Sequence, residues 1–209
     1  YVNHFPEDHA ACKSYLIFNV CFGHPSVMLR RKIFDDKKNF YKPIYRQYGE
    51  EYDLWCRLVE QFRFHNLNDI LVYYRTYPSE IKSNAEEQRK RNAAGIRWHY
   101  LNKYLGQISE TDWDKHNMAS FSKQCSSVDD LYGIDEWFRK ILDWNGITKS
   151  FNESVLVEQL AQRYFEVCYA HTKFGLQSMK IYFKSGWQRR YNPTKKNLLK
   201  FFIKLAIKA

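Results

Sequence analysis

Apolar residues change their spacing near residue 83, and the change divides the chain into two expected architectures. Before it, short apolar runs alternate with polar and aromatic loops. Glu7-Asp8 opens a short helix through Ala10, Ala11 and Tyr15. Leu16–Phe22 is an apolar run, and Val27-Met28-Leu29 follows after Gly23-His24-Pro25-Ser26. Pro25 blocks a helix there and places His24 in an extended conformation, so a strand, or a loop and a strand, is expected up to Arg30-Arg31-Lys32. Residues 35–48 read as a charged, aromatic-rich loop. From Glu50 the period becomes helical: Leu54 and Leu58 stack at i, i+4, and Trp55 and Val59 widen the stripe. Glu50 and Glu51 then occupy the first turn, where the helix dipole favours negative charge. Ile70–Arg75 is β-branched and aromatic, the composition of a strand, and Pro78 ends it.

Beyond residue 83 the pattern is helical almost throughout. Asn84–Tyr104 carries Ile96, Tyr100, Leu101 and Leu105 near one face, with Gly95 weakening its middle. Ser109-Glu110-Thr111-Asp112 is a helix start. Val128–Trp144 is amphipathic through Leu131, Ile134, Phe138, Ile141 and Leu142, with a stop expected at Asn145-Gly146. A further helix is expected over residues 155–183, broken at Gly175, and a basic helical segment from Thr194. The expected division is 1–83, mixed α/β, and 84–209, a helical C-terminal extension ending in a basic amphipathic tail, 194–209.

Composition narrows the classes. With 44% hydrophobic and 18% aromatic residues in 209, the chain can bury a core, which excludes disorder. The formal net charge of +10 suits phosphate-bearing partners or an anionic membrane surface. A nucleic-acid reader would gather its cations on a compact basic helix with interleaved aromatics; here Lys and Arg are spread widely, so no nucleic acid is expected. The five cysteines form no C-x-x-C pair and the seven histidines have no ligand spacing, which points to free thiols, a reducing compartment and a cytoplasmic location. Signal-peptide and membrane-spanning patterns are absent, and the missing initiator Met suggests a piece of something longer. Walker, G-x-G-x-x-G and H-E-x-x-H motifs are also absent.

Three segments in order carry a resemblance: Gly23-His24-Pro25-Ser26-Val27-Met28-Leu29-Arg30-Arg31, then Gly49-Glu50-Glu51-Tyr52-Asp53-Leu54-Trp55-Cys56-Arg57-Leu58, then Asn68-Asp69-Ile70-Leu71-Val72-Tyr73-Tyr74-Arg75. The set resembles the C-terminal half of a family 2 inverting glycosyltransferase of GT-A fold, whose members commonly read HPSVM-F-R-R, E-D-Y-D-L-W-x-R-L and L-x-Y-Y-R-x-H. The resemblance spans roughly Phe18–Ser83. It implies a partial, Rossmann-like mixed sheet and sugar transfer from a nucleotide-sugar donor to a glycan or lipid-linked acceptor. Glu51 stands where the family has its base, with Glu50 beside it, a departure because the family's base is usually Asp. His24, Ser26, Asp53, Trp55 and Arg75 are the implied substrate-binding residues, although Asp53 equally suits a first-turn cap and Trp55 a core position. Tyr77 replaces the family's His and is a poor ligand for Mg²⁺ or Mn²⁺. Asp35-Asp36 is in the wrong place for the family's metal motif. The divalent metal expected of the whole enzyme would therefore find its ligands mostly outside this chain, and the chain alone is expected to be inactive.

The tail offers separate chemistry. Thr194–Lys208 alternates lysines with large apolar residues at helical spacing and follows Trp187-Gln188-Arg189-Arg190-Tyr191. It reads either as an in-plane helix on an anionic membrane, through residues 187–209 at the inner face of the plasma membrane, or as a terminal helix docked on the α-region. The alternative to an enzyme is a non-catalytic helical interaction or membrane-association module.

Overall fold

The computed structural model describes residues 3–45, 48–75 and 83–208. The chain divides into two compact units, Tyr1–Lys103 and Tyr104–Ala209.

In the first unit, α1 (His9–Tyr15) starts on Asp8, whose carboxylate accepts the Ala11 amide at 2.9 Å. The strand expected over Leu16–Phe22 does not form. The Phe18 and Asn19 amides still reach back to Tyr15 O as continuing turns. The carbonyls that a ladder would need are taken by side chains: Tyr52 Oη donates to Leu16 O at 2.6 Å, Arg97 Nη1 to Phe18 O at 3.4 Å and Asn66 Nδ2 to Cys21 O at 2.9 Å. The run is apolar because it is the centre of the core. Leu16, Ile17, Phe18 and Cys21 are buried together with Tyr52, Leu54, Trp55 and Leu58 of α2 (Glu50–Leu58) and Ile96, Tyr100 and Leu101 of α3 (Ser83–Leu105).

His24 is not extended either. It opens a 3-10 turn, His24–Ser26, and it is Gly23 before it that is extended, at φ −78° and ψ 104°. Proline's fixed φ suits the start of such a turn, and its missing N–H is one the turn leaves unbonded. Ile70–Arg75 is not a strand: no backbone hydrogen bond joins it to a described residue, and Ile70, Leu71, Val72, Tyr73 and Tyr74 are exposed. Tyr77 and Pro78 lie outside the described residues. Among the described residues there is no strand and no sheet. That overturns the expected α/β class, the partial GT-A mixed sheet, and with it the resemblance to family 2 glycosyltransferases. β-branched and aromatic composition suits a pleated surface, but a strand exists only through the segment it pairs with.

The second unit contains α4 (Glu110–Ala119), α5 (Val128–Thr148), α6 (Glu153–Ala170), α7 (Leu176–Ser185) and α8 (Lys195–Lys208). Three of them begin on side-chain caps: Ser109 for α4, a capping box of Ser127 and Asp130 for α5, and Asn152 for α6. Leu131, Ile134, Trp137, Phe138 and Ile141 form the buried stripe of α5, facing Leu156, Leu160, Tyr164 and Val167 of α6. Helix α5 runs past Asn145-Gly146 and ends where Lys149 turns left-handed, φ 51°. Asn145 is a tertiary clasp: its side chain accepts from Phe151 N at 2.8 Å and donates to Phe151 O at 3.2 Å, folding the chain back into α6. The break at Gly175 is present, at φ 61° and ψ −147°, a region essentially open to glycine alone.

Candidate functional site

Gly49 makes the start of α2 possible. Its φ of 102° disfavours any side chain, and a Cβ there would meet Ile96 Cδ1 at 3.1 Å. The turn it allows brings Glu50, Glu51 and Asp53 into the first turn of one helix, where the exposed amides favour carboxylates.

The three carboxylates have different surroundings. Asp53 is buried and neutralised, with Arg57 Nε at 2.8 Å and Lys42 Nζ at 3.0 Å. Arg57 also donates to Lys38 O and, at 2.9 Å, to Phe40 O, so the Asp53–Arg57 pair ties the loop 38–42 to α2. Glu50 and Glu51 form no ion pair with a described residue, and Glu50 Oε2 is buried with no hydrogen-bond partner among them. Tyr41 is carried on the tied loop, within the electrostatic reach of both. Its phenol is held above the ordinary range first by partial burial and then by the charges of Glu51 and Glu50. Its hydroxyl is 3.0 Å from His24 Nε2, and the two rings lie 5.8 Å apart. A protonated phenol beside an imidazole and two carboxylates can donate to one group while a ligand hydroxyl donates to another.

The fold therefore brings His24 onto Tyr41, and the charges of Glu51 and Glu50 act on the same phenol. Trp55 packs on the same His24 at 6.3 Å, but as a core residue, edge-on to Phe22 at 5.4 Å, with its Nε1 buried and meeting no acceptor among the described residues. Ser26 Oγ donates to Gly23 O at 2.7 Å, which closes its own turn. Arg75 is exposed at the end of the unpaired segment, and no described residue pairs with it. Tyr41 stands 17 positions from His24 in sequence, a distance no local spacing rule spans. The Asp53–Arg57 pair was readable, since i, i+4 places both on one helix face.

Other chemistry is narrowly bounded. All five cysteines are free and buried. Burial pushes the thiols of Cys21, Cys56, Cys125 and Cys168 up, Cys125 to about 11, so none of these four is a thiolate nucleophile at neutral pH. Among the described residues no group of three His, Cys, Asp or Glu could hold a metal ion, and the divalent metal implied by the resemblance finds no ligand set in them. No described helix is long and apolar enough to cross a membrane. No family model matches the chain, and neither curated proteins nor solved structures give a match to it.

Proposed function

We propose that the head of α2 binds the hydroxyl-bearing acceptor of a sugar transfer, with Glu51 taking the proton of the attacking hydroxyl. The observation that carries it is the His24–Tyr41 contact, with the charges of Glu51 and Glu50 acting on the same phenol and both glutamates outside any ion pair among the described residues. A sugar hydroxyl turns strongly acidic only as its oxygen bonds to the anomeric carbon, so a carboxylate already in place lowers that barrier without stripping the proton beforehand. Tyr41 and His24 supply ring faces for the C–H side of a pyranose and polar atoms for its neighbouring hydroxyls. The Asp53–Arg57–Lys42 network keeps Tyr41 in position. The donor in this reading is a nucleotide-activated sugar.

The test uses the protein at its full length. Glu51→Gln is expected to lower transfer by about 10²–10⁴-fold with donor affinity unchanged. Tyr41→Phe is expected to raise the KM for acceptor more than it lowers kcat. Turnover of Glu51→Gln at the wild-type rate would remove the assignment.

A further inference from the structure

Helix α8 is docked and yet leaves an apolar face open. Phe201 and Leu205 are buried, with Phe201 edge-on to Phe165 at 5.8 Å and packed on Tyr169 at 5.9 Å. Lys204 donates to Tyr169 O at 3.3 Å and lies over the Tyr169 ring at 4.5 Å. These contacts fix which side of α8 is available. On the opposite side, Leu199, Phe202, Ile203 and Ala206 follow i, i+3, i+4, i+7 and are exposed, the first three by 60%, 47% and 48%. Lys196 and Lys200 run along one flank of this ridge, and Lys195 lies at its N-terminal end. Helix α7 separately exposes Leu176, Lys180, Phe183 and Lys184.

Charge selects the occupant. Lys and Arg occur throughout the sequence, but carboxylates do not: from Val167 to Ala209 there are ten Lys and Arg and no Asp or Glu, so the whole excess of +10 resides there. A second copy docked ridge to ridge would bring these lysines against their equivalents with no carboxylate in the segment to separate them. A nucleic acid would neutralise the lysines but leave Leu199, Phe202 and Ile203 in water. A bilayer interface with anionic headgroups satisfies both sets at once. Trp187 takes no part, because it is buried with its Nε1 donated to Asp135 at 2.6 Å.

We propose that α8 lies in the plane of an anionic lipid surface, with Leu199, Phe202, Ile203 and Ala206 entering at the acyl boundary and Lys195, Lys196 and Lys200 at the headgroup phosphates. The attachment is peripheral, consistent with a helix of 14 residues. It is independent of the chemistry at α2.

The test is co-sedimentation of the full chain with phosphatidylglycerol/phosphatidylcholine vesicles and with phosphatidylcholine vesicles alone. Binding is expected only to the first, reduced but not abolished by high salt, because apolar burial and charge act together. Leu199→Ser/Phe202→Ser/Ile203→Ser is expected to weaken it about tenfold or more, with the circular dichroism and melting of the wild type, since all three side chains are exposed. Lys196→Glu/Lys200→Glu is expected to remove the preference for phosphatidylglycerol. Failure of wild-type protein to sediment with either vesicle overturns the proposal. So does triple-serine binding equal to wild type, which would mark a purely ionic surface of the kind nucleic acid uses. An anionic oligonucleotide that competes vesicles off wild type and binds the triple-serine variant equally well would also overturn it.

Discussion

Tyr1–Lys103 and Tyr104–Ala209 each bury a core of their own, and they hold it by different bonds. In the second unit, local sequence signals and packing agree. Ser109, Ser127 and Asn152 cap helices at the positions their types favour, and the apolar stripes of α5 and α6 meet at helical period. In the first unit, residues 16–22 lie outside any helix and residues 31–45 hold only short 3-10 turns, and carbonyls from Pro6 to Phe40 are met by side chains arriving from far along the chain: Tyr52 on Leu16 O, Asn66 on Pro6 O and Cys21 O, Tyr100 on Lys13 O, Arg57 on Phe40 O. The candidate acceptor site lies in this unit, and the open amphipathic helix in the other. A loop fixed by distant side chains can place Tyr41 on His24 without regular periodicity. A regular helix is the better carrier for a long repeating face such as that of α8.

The sharpest way to break the contrast is in the core of the second unit. Trp137 is fully buried and donates from Nε1 to His116 Nδ1 at 3.1 Å. Trp137→Ala is expected to cost about 3–5 kcal/mol by denaturant melting, with amide protection lost over α4 and α5. A cost under about 1 kcal/mol would mean that this bundle is not packed around α5.

The first unit should respond most to loss of a single polar side chain. Asn66→Ala removes donors to Pro6 O at 2.6 Å and Cys21 O at 2.9 Å and strands both carbonyls. The expected cost is about 2–3 kcal/mol, with hydrogen exchange accelerated between residues 12 and 21 and unchanged in α5. Equal protection in wild type and variant would show that these loops hold themselves.

Next in size is the capping box. Asp130 accepts from Ser126 N at 2.8 Å, Ser126 Oγ at 2.9 Å, Ser127 N at 3.1 Å and Lys115 Nζ at 3.0 Å. Burial would raise its pKa, but these donors outweigh burial and hold it well below the ordinary value of 3.8. Its stabilisation is therefore complete above pH 3.8 and lost as pH falls through the lowered value. Asp130→Ala is expected to cost about 2 kcal/mol at neutral pH and to flatten the acid limb of the stability curve. Parallel acid limbs in the two proteins would contradict the assignment.

The smallest effect should come from His171. Its Nε2 accepts the Cys125 amide at 3.2 Å and its Nδ1 donates to Val167 O at 2.8 Å, the neutral tautomer. Burial lowers its pKa from 6.5, more than the Val167 carbonyl raises it. Its contribution is present above pH 6.5 and declines as pH falls towards the lowered value, because the unfolded chain takes up the proton first. Stability is expected to fall from about pH 7.5 to 5, with a share from His9, whose pKa burial also lowers, and His171→Gln should shrink the slope. Unchanged slope in the variant would assign it to another group.

Much of the helical architecture was legible from the residues alone. The start of α2 at Glu50, the buried stripe of Leu54, Trp55, Leu58 and Val59, the start after Ser109 and the break at Gly175 all follow from period, capping and glycine chemistry, which act within a few residues. Of the candidate site, the two adjacent carboxylates at a helix start were readable, and so was the i, i+4 pairing of Asp53 with Arg57. Only the tertiary structure decided the rest. Composition could mark Leu16–Phe22 and Ile70–Arg75 as β-like, but whether a strand forms depends on what its carbonyls and amides meet, and here they meet side chains or no described partner. The meeting of Tyr41 with His24 depends on Arg57 tying down a loop, and the open face of α8 on which side Phe201 docks. These are contacts between residues distant in sequence, and local propensity carries no information about which distant group arrives.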